Sequence, residues 1–396
     1  MTRGFSTGTM LPYGRQTIDD ADIAAVVDVL RSDFLTQGPA VPRFEQAVAQ
    51  YCGARHGIAV NSATSALHVA CLALGVGPGD VVWTTPNTFV ASANCARYCG
   101  ADVDFVDIDA RTYNVCPHAL AKKLDHAKDT GRLPKAVIAV HFAGQSCDME
   151  AIAAVLRPFN IPVIEDASHA IGGSYRGQPI GAGRYSAMTV FSFHPVKVIT
   201  TGEGGMIVTN DDALARQVGM LRTHGITRDV KDYTRTTEGA WYYEQQTLGF
   251  NYRITDIQAA LGWSQLRRLD EFVARRRTLA QRYDTLLKDV PGVSVPWQQA
   301  EGQSAWHLYV VQVDAAKRRG LFDQLRAAGI GVNVHYVPVY WQPYYHALGF
   351  RVGQCPIAEQ YYHRALSLPM FPAMTDSDQD RVVDALRSML TPQRGA

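Results

Sequence analysis

The sequence predicts an α/β protein, a largely parallel sheet flanked by helices, followed by a smaller C-terminal α+β domain. Three observations carry this expectation. From about residue 57 to 210, apolar runs of strand length alternate with helical stretches, as βαβ units do when both faces of a sheet are covered. Near 254–290 the pattern changes to a long, amphipathic, arginine-rich segment, the character of an extended helix linking two domains. Beyond it, a short set of strand-like and helix-like segments reads as a second, smaller unit. A chain of 396 residues also exceeds one average domain. The expected division is 1–262 for the large domain and 263–396 for the small one, linking helix included.

In chain order, the strand candidates are GIAV (57–60), VVWT (81–84), VDFVDI (103–108), AVIAV (136–140), PVIED (162–166), MTVFSF (188–193) and GGMIVT (204–209). Between several of them lie the helical candidates SALHVACLALG (65–75), ASANCARYCG (91–100) and MEAIAAVLRPF (149–159). The stretch 228–249 has no clean period and is expected to be a long loop, a kind of segment that often carries function in a compact fold. In the C-terminal part, HLYVVQV (307–313) and IGVNVHYV (330–337) read as strands, and LFDQLRAAG (321–329) and DSDQDRVVDALRSML (376–390) as helices.

Composition excludes several classes of function. The 38 basic and 37 acidic residues leave a formal net charge of +1, so no global field draws the chain to nucleic acid or to an anionic membrane. Seven cysteines lie at irregular spacings; Cys95 and Cys99 are four apart, but no second pair with histidine completes a zinc site. No metal is expected, and reduced, buried thiols are the ordinary reading. The opening MTRGFSTGTMLPYG lacks an apolar core, and the longest apolar runs have only strand length. A cytoplasmic protein without a membrane span is expected.

Four features fall where strands of the large domain end, the edge at which open α/β sheets bind ligands. NSATSAL (61–67) turns from strand to helix through small hydroxyl residues, and a helix start with free N–H groups suits a phosphate, although a plain N-cap looks the same. EDASHA (165–170) places an acid directly after a strand, where it could be a ligand, a base, a cation partner or a cap. FSFHPVKVITTGEGG (191–205) holds Lys197 in an apolar, small-residue setting. Most lone lysines are surface residues, but enclosure here would lower the amine's pKa and favour Schiff-base chemistry. Phe89, in TTPNTFVASAN (84–94), is either core or a ring lying over a planar ligand. Rival phosphate motifs fail. GVGPGD (75–80) lacks the G-x-G-x-x-G spacing of a nicotinamide-binding turn, and GEGG (202–205) has no lysine-serine continuation.

Taken in order, NSATSAL, TTPNTFVASAN, EDASHA, FSFHPVK, GEGG and GFNYRITDIQAALG closely resemble the DegT-type sugar-aminotransferase family of fold-type I enzymes that use pyridoxal 5'-phosphate (PLP). The resemblance runs from LPYGRQTIDDADI to LSLPMFPAMTD, nearly the whole chain. It implies that Lys197 anchors the cofactor, that Asp166 pairs with the pyridine nitrogen, and that His169 lies near the phenolic oxygen. A histidine at 169, where many members carry glutamine, is within the family's variation. Phe89 would stack on the ring, with Ala63, Thr64 and Ser192 around the phosphate. Asn251 would reach the phosphate of the neighbouring subunit, which implies a homodimer with shared active sites. PLP acts as an electron sink, deepened when Asp166 keeps its nitrogen protonated, while Lys197 moves the proton.

The resemblance also bears on the substrate. Members that dehydrate a sugar at C3 carry histidine in place of the lysine, so Lys197 implies amino transfer. SDFLTQGPAV (32–41), HYVPVY (335–340) and LPYG resemble the branch that makes 4-amino sugars. Tyr13, Thr36, Gln37, His335 and Tyr340 would then line the nucleotide-sugar cleft, with His335 reading equally as a satisfied strand histidine, and Arg253 would either bind an anionic group such as the donor carboxylate or form an interface salt bridge. Within that branch, WYYEQQTLGFNYRITDIQAALG and VHYVPVYWQPYY are most similar to the transaminases of pseudaminic acid biosynthesis. Those take L-glutamate and a UDP-linked 2-acetamido-2,6-dideoxy-4-keto-hexose. The alternative is another nucleotide-linked 4-keto-6-deoxy sugar, of the perosamine or 4-amino-arabinose type.

Overall fold

The structure is a computed structural model that describes residues 10–390; of the opening segment read above, residues 1–9 lie outside the described residues. All seven strand candidates of the large domain join one sheet: β1 (His56–Val60), β2 (Val81–Thr84), β3 (Asp102–Phe105), β4 (Ala136–Val140), β5 (Val163–Asp166), β6 (Met188–Ser192) and β7 (Gly205–Thr209). In these labels the order across the sheet is β1-β7-β6-β5-β4-β2-β3. β7 runs antiparallel to both of its neighbours, and every other pairing is parallel.

The continuous apolar runs follow from burial on both faces. In β4, Ile138 joins one core cluster while Val137 and Ala139 join another, because successive side chains of a strand point to opposite faces. Seven helices belong to this part: α1 (Asp20–Leu30), α2 (Ala40–Cys52), α3 (Ala63–Ala73), α4 (Ala91–Tyr98), α5 (Pro117–Asp129), α6 (Met149–Leu156) and α7 (Asp212–Leu221). The stretch 228–249 is largely irregular, as expected, with a two-residue pairing of Ile226–Thr227 and Glu244–Gln245 at its root.

The expected single linking helix is two helices, α8 (Asp256–Leu266) and α9 (Leu269–Leu287). α8 begins in a capping box, with Thr255 and Gln258 bonding each other's backbone N–H groups. The helix then breaks at Arg267 and Arg268, and the Arg268 side chain is turned to Asp22 and, at 3.0 Å, to Asp19. Residue 262 therefore falls inside α8, which ends at Leu266. The second core gathers Leu279, Tyr283, Tyr309, Leu325, Leu368, Val382 and Leu386. It also takes in Leu11 from the N-terminal segment, while Tyr340, Tyr345 and Tyr361 pack into the core beside the large sheet. Two further corrections concern the strands here. β8 (Tyr309–Gln312) pairs with β9 (Ala365–Leu368), which the sequence pattern did not single out. The expected strand 330–337 makes only isolated bridges, Ile330 with Leu11 and Asn333 with Ser367. α10 (Ala315–Ala327) and the closing helix Asp376–Leu390 cover this core. None of the described helices is long and apolar enough to cross a membrane.

Candidate active site

The carboxyl ends of β1, β2, β5 and β6 open into a cavity of about 710 Å³. Of the expected site residues, Tyr13, Ala63, Thr64, Phe89, Asp166, His169, Ser192, Lys197 and His335 all line it. The segments are far apart in sequence, and the parallel sheet brings them to one edge. β7, running the other way, delivers its first residue, Gly205, to that same edge.

One wall is the start of α3. Ser62 caps the helix, its hydroxyl accepting from the Ser65 N–H, so this part of the motif is a structural cap. Among the described residues the N–H groups of Ala63 and Thr64 and the hydroxyls of Thr64 and Ser192 have no hydrogen-bond partner. Two free donors at a helix N-terminus form an anion site. Gly205 keeps it open, since a Cβ there would come within 2.6 Å of the Ala63 nitrogen. The donors suit a phosphate.

Asp166 ends β5 and is buried. Its Oδ1 accepts from the Ser168 hydroxyl at 2.6 Å and the Ser168 N–H at 3.1 Å, and its Oδ2 accepts from the Ser92 hydroxyl at 2.6 Å. These donors fix both oxygens of the carboxylate in a dry place. Such a charge suits a protonated ring nitrogen.

Lys197 stands on the loop between β6 and β7 and lines the same cavity. Burial pushes its amine down to about 8, against the opposing pull of the Asp166 charge. A substantial neutral fraction near pH 8 makes it a competent nucleophile and base. Phe89 is 59% exposed although it lines the cavity. A large ring in that state is a ready face for a planar ligand.

His169 is buried, and its Nδ1 accepts from the Ala143 N–H at 3.2 Å. Burial, then the charges of Lys197 and His335, holds its pKa well below the usual histidine range. The ring is therefore neutral with its proton on Nε2, which lies 3.3 Å from the Tyr336 hydroxyl. His335 is also buried; its Nδ1 is 2.7 Å from the Ser367 hydroxyl, and burial followed by the Lys197 charge lowers it to about 3.

The remaining expected residues lie elsewhere. Tyr340 is a correction: its ring is fully buried in the core against Phe105, its hydroxyl bonds Glu359 and accepts from the Cys355 N–H at 3.1 Å, and it does not face the cleft. Thr36 and Gln37 are exposed, with Thr36 bridged to Thr255. Asn251 is exposed and bridged to Thr223, and Arg253 is bridged to Val60 through the backbone. None of these four lines the cavity of its own chain. Sequence reasoning missed Ser92, Ser168, Tyr336 and His307. The first three lie within motifs already singled out, TTPNTFVASAN, EDASHA and HYVPVY, but nothing in their type marked them.

Comparison with known proteins defines the class. Residues 16–387 match the model of the DegT/DnrJ/EryC1/StrS aminotransferase family. The chain belongs to this family and is a PLP-dependent sugar aminotransferase. It is 42% identical over 386 residues to the spore coat polysaccharide biosynthesis protein SpsC of Bacillus subtilis, covering 96% of this chain and 97% of SpsC. It superposes with a TM-score of 0.88 and 30% identity on Helicobacter pylori PseC, an aminotransferase involved in the biosynthesis of pseudoaminic acid, over 96% of this chain and 99% of PseC. Spr1654 of Streptococcus pneumoniae in its PLP form superposes with a TM-score of 0.86 and 29% identity, over 96% and 98% of the two chains.

Proposed function

We propose that this chain transfers the amino group of L-glutamate to C4 of a UDP-linked 2-acetamido-2,6-dideoxy-4-keto-hexose, giving UDP-4-amino-4,6-dideoxy-N-acetyl-β-L-altrosamine. The observation that carries the reading is the likeness to PseC over nearly the whole of both chains, joined to a site in which Lys197, Asp166 and a free helix start face one cavity. Bound PLP supplies the electron sink that amino transfer needs. Ala63, Thr64 and Ser192 hold its phosphate, Asp166 its ring nitrogen, and Phe89 its face. Lys197 anchors the cofactor, and its amine takes and returns the proton at the reacting carbon. His169 donates its Nε2–H toward the phenolic oxygen. Tyr13 and His335 line the side on which the sugar enters. Asn251, Arg253, Thr36 and Gln37, absent from the cavity of their own chain, complete the site of a second copy in a cytoplasmic homodimer.

A second reading follows from SpsC, which is closer in sequence and belongs to polysaccharide biosynthesis: the acceptor is then a different nucleotide-linked 4-keto-6-deoxy sugar. A coupled assay with glutamate and a panel of UDP-, GDP- and dTDP-linked 4-keto-6-deoxy sugars tests both. The UDP-N-acetyl-altrosamine precursor should show the highest kcat/KM. A higher value for another acceptor transfers the assignment to that sugar.

A further inference from the structure

His307 lines the cavity, is buried, and has no part in the roles above. Its ring lies against His169, with centroids 4.4 Å apart and planes at 43°. The contact is built from behind. Arg276 of α9, a fully buried guanidinium, donates to the carbonyls of Trp306, His307 and Met370 at 3.1–3.2 Å. On the other side Gly144, at φ +102°, lets three segments meet, since a Cβ there would lie 2.7 Å from the Trp306 nitrogen and 3.1 Å from the His169 carbonyl.

The ring nitrogens of His307 are not equivalent. Nδ1 is sealed from solvent with no hydrogen-bond partner. Nε2 also bonds nothing among the described residues, but it is not sealed, so it is the nitrogen that opens toward the cavity. An orphaned buried N–H costs more than an orphaned lone pair, so the proton of the neutral ring belongs on Nε2. Burial, then the charges of His169, Lys197, Arg276 and His335, holds the pKa of this ring well below the usual histidine range; the acids lining the same cavity are Asp166 and Glu203. His169 carries its own proton on Nε2, fixed by the Ala143 N–H on its other nitrogen.

We propose that His307 is a second N–H donor of the active site beside His169, its Nε2–H held to an anionic oxygen that is either the cofactor's, shared with His169, or one of the amino donor's carboxylate. Two neutral imidazoles side by side can both donate without adding charge to a cavity that already holds Lys197. The ligand's identity rests on the aminotransferase reading; the proton positions do not.

Long-range proton–nitrogen correlation spectra of cofactor-free enzyme with 15N-labelled histidines read the proton positions directly. His307 and His169 should both be neutral and protonated at Nε2 across the neutral pH range. A proton on Nδ1 of His307, or titration of that ring in the range, overturns the proposal. The ligand is read in holoenzyme with His307→Phe, which keeps the packing and removes the donor. If the oxygen is the cofactor's, the pH midpoint of the bound cofactor's absorption band rises by about one unit, a tenfold change in proton affinity. If it is the donor's carboxylate, the midpoint stays and KM for glutamate rises about tenfold. His307→Gln, which restores an N–H donor, should reverse most of either change. If neither midpoint nor KM moves, His307 is packing alone.

Discussion

Ser92 Oγ donates to Asp166 Oδ2 across 2.6 Å, so a fully buried hydroxyl of α4 fixes the carboxylate that closes β5. Thr88 extends the chain, its hydroxyl 2.8 Å from that of Ser92. Ser92→Ala strips one oxygen of a buried carboxylate of its donor. Such a loss costs about 1–3 kcal/mol. Denaturant unfolding of the cofactor-free protein should show it, together with weaker cofactor binding. Unchanged stability and binding would mean that the Ser168 contacts alone hold Asp166.

The depressed amine of Lys197 predicts a pH signature. The rate at which cofactor-free protein captures PLP through its neutral amine should rise with pH through about 8. The sign for stability is the same. Between that value and the normal 10.5, the unfolded chain binds the proton that the native protein has lost, so native stability climbs with pH. Lys197→Met removes this dependence. The variant should abolish turnover yet melt at a higher temperature than wild type at neutral pH, with the gap closing as pH rises through that window. A lower melting temperature at neutral pH would contradict a desolvated lysine.

Gly205→Ala tests the anion cradle. The added methyl meets the Ala63 nitrogen at 2.6 Å, closing the α3 start from the β7 side. Cofactor affinity, followed by quenching of intrinsic fluorescence, should fall at least about tenfold, or about 1.4 kcal/mol, while far-ultraviolet dichroism stays native. Retained affinity would place the phosphate elsewhere.

Tyr340 and Tyr336 should separate cleanly. Tyr340→Phe leaves the Cys355 N–H without its acceptor in the core, and about 1–3 kcal/mol of stability should go with KM values unchanged. Tyr336→Phe loses the hydroxyl that faces His169 in the cavity, and should alter kinetics more than stability. The reverse pattern would return Tyr340 to the cleft.

The seven large-domain strands were legible because each is a short apolar run closed by small or turn-forming residues, as AVIAV over Ala136–Val140 illustrates. Local patterns reported less well wherever tertiary partners decide. The break between α8 and α9 depends on Asp19 and Asp22, more than two hundred residues away in the chain, drawing Arg268 out of helical register. The stretch 330–337 has strand composition but lies against Leu11 and Ser367 only at single points. For the site, Lys197, Asp166 and Phe89 stood out through their positions at strand ends. Ser92 and Ser168 act through hydroxyls common to any helix start, and Tyr340 looked like its neighbour Tyr336. Which of two tyrosines four residues apart faces a cavity is set by the backbone path, and composition does not encode it.

The loop bearing Lys197 leaves β6 at Ser192 and returns into β7 at Gly205, next to where it began. Its neck is closed by the Phe193 N–H bonding the Gly204 carbonyl at 2.9 Å and by Thr201 bonding back to Phe193 at 3.0 Å. The lysine thus sits on an interchangeable cartridge. A substitution at the lysine leaves the β6 and β7 pairings beneath it in register. That separation uncouples the residue that bears the amine from the pairings that fold the sheet.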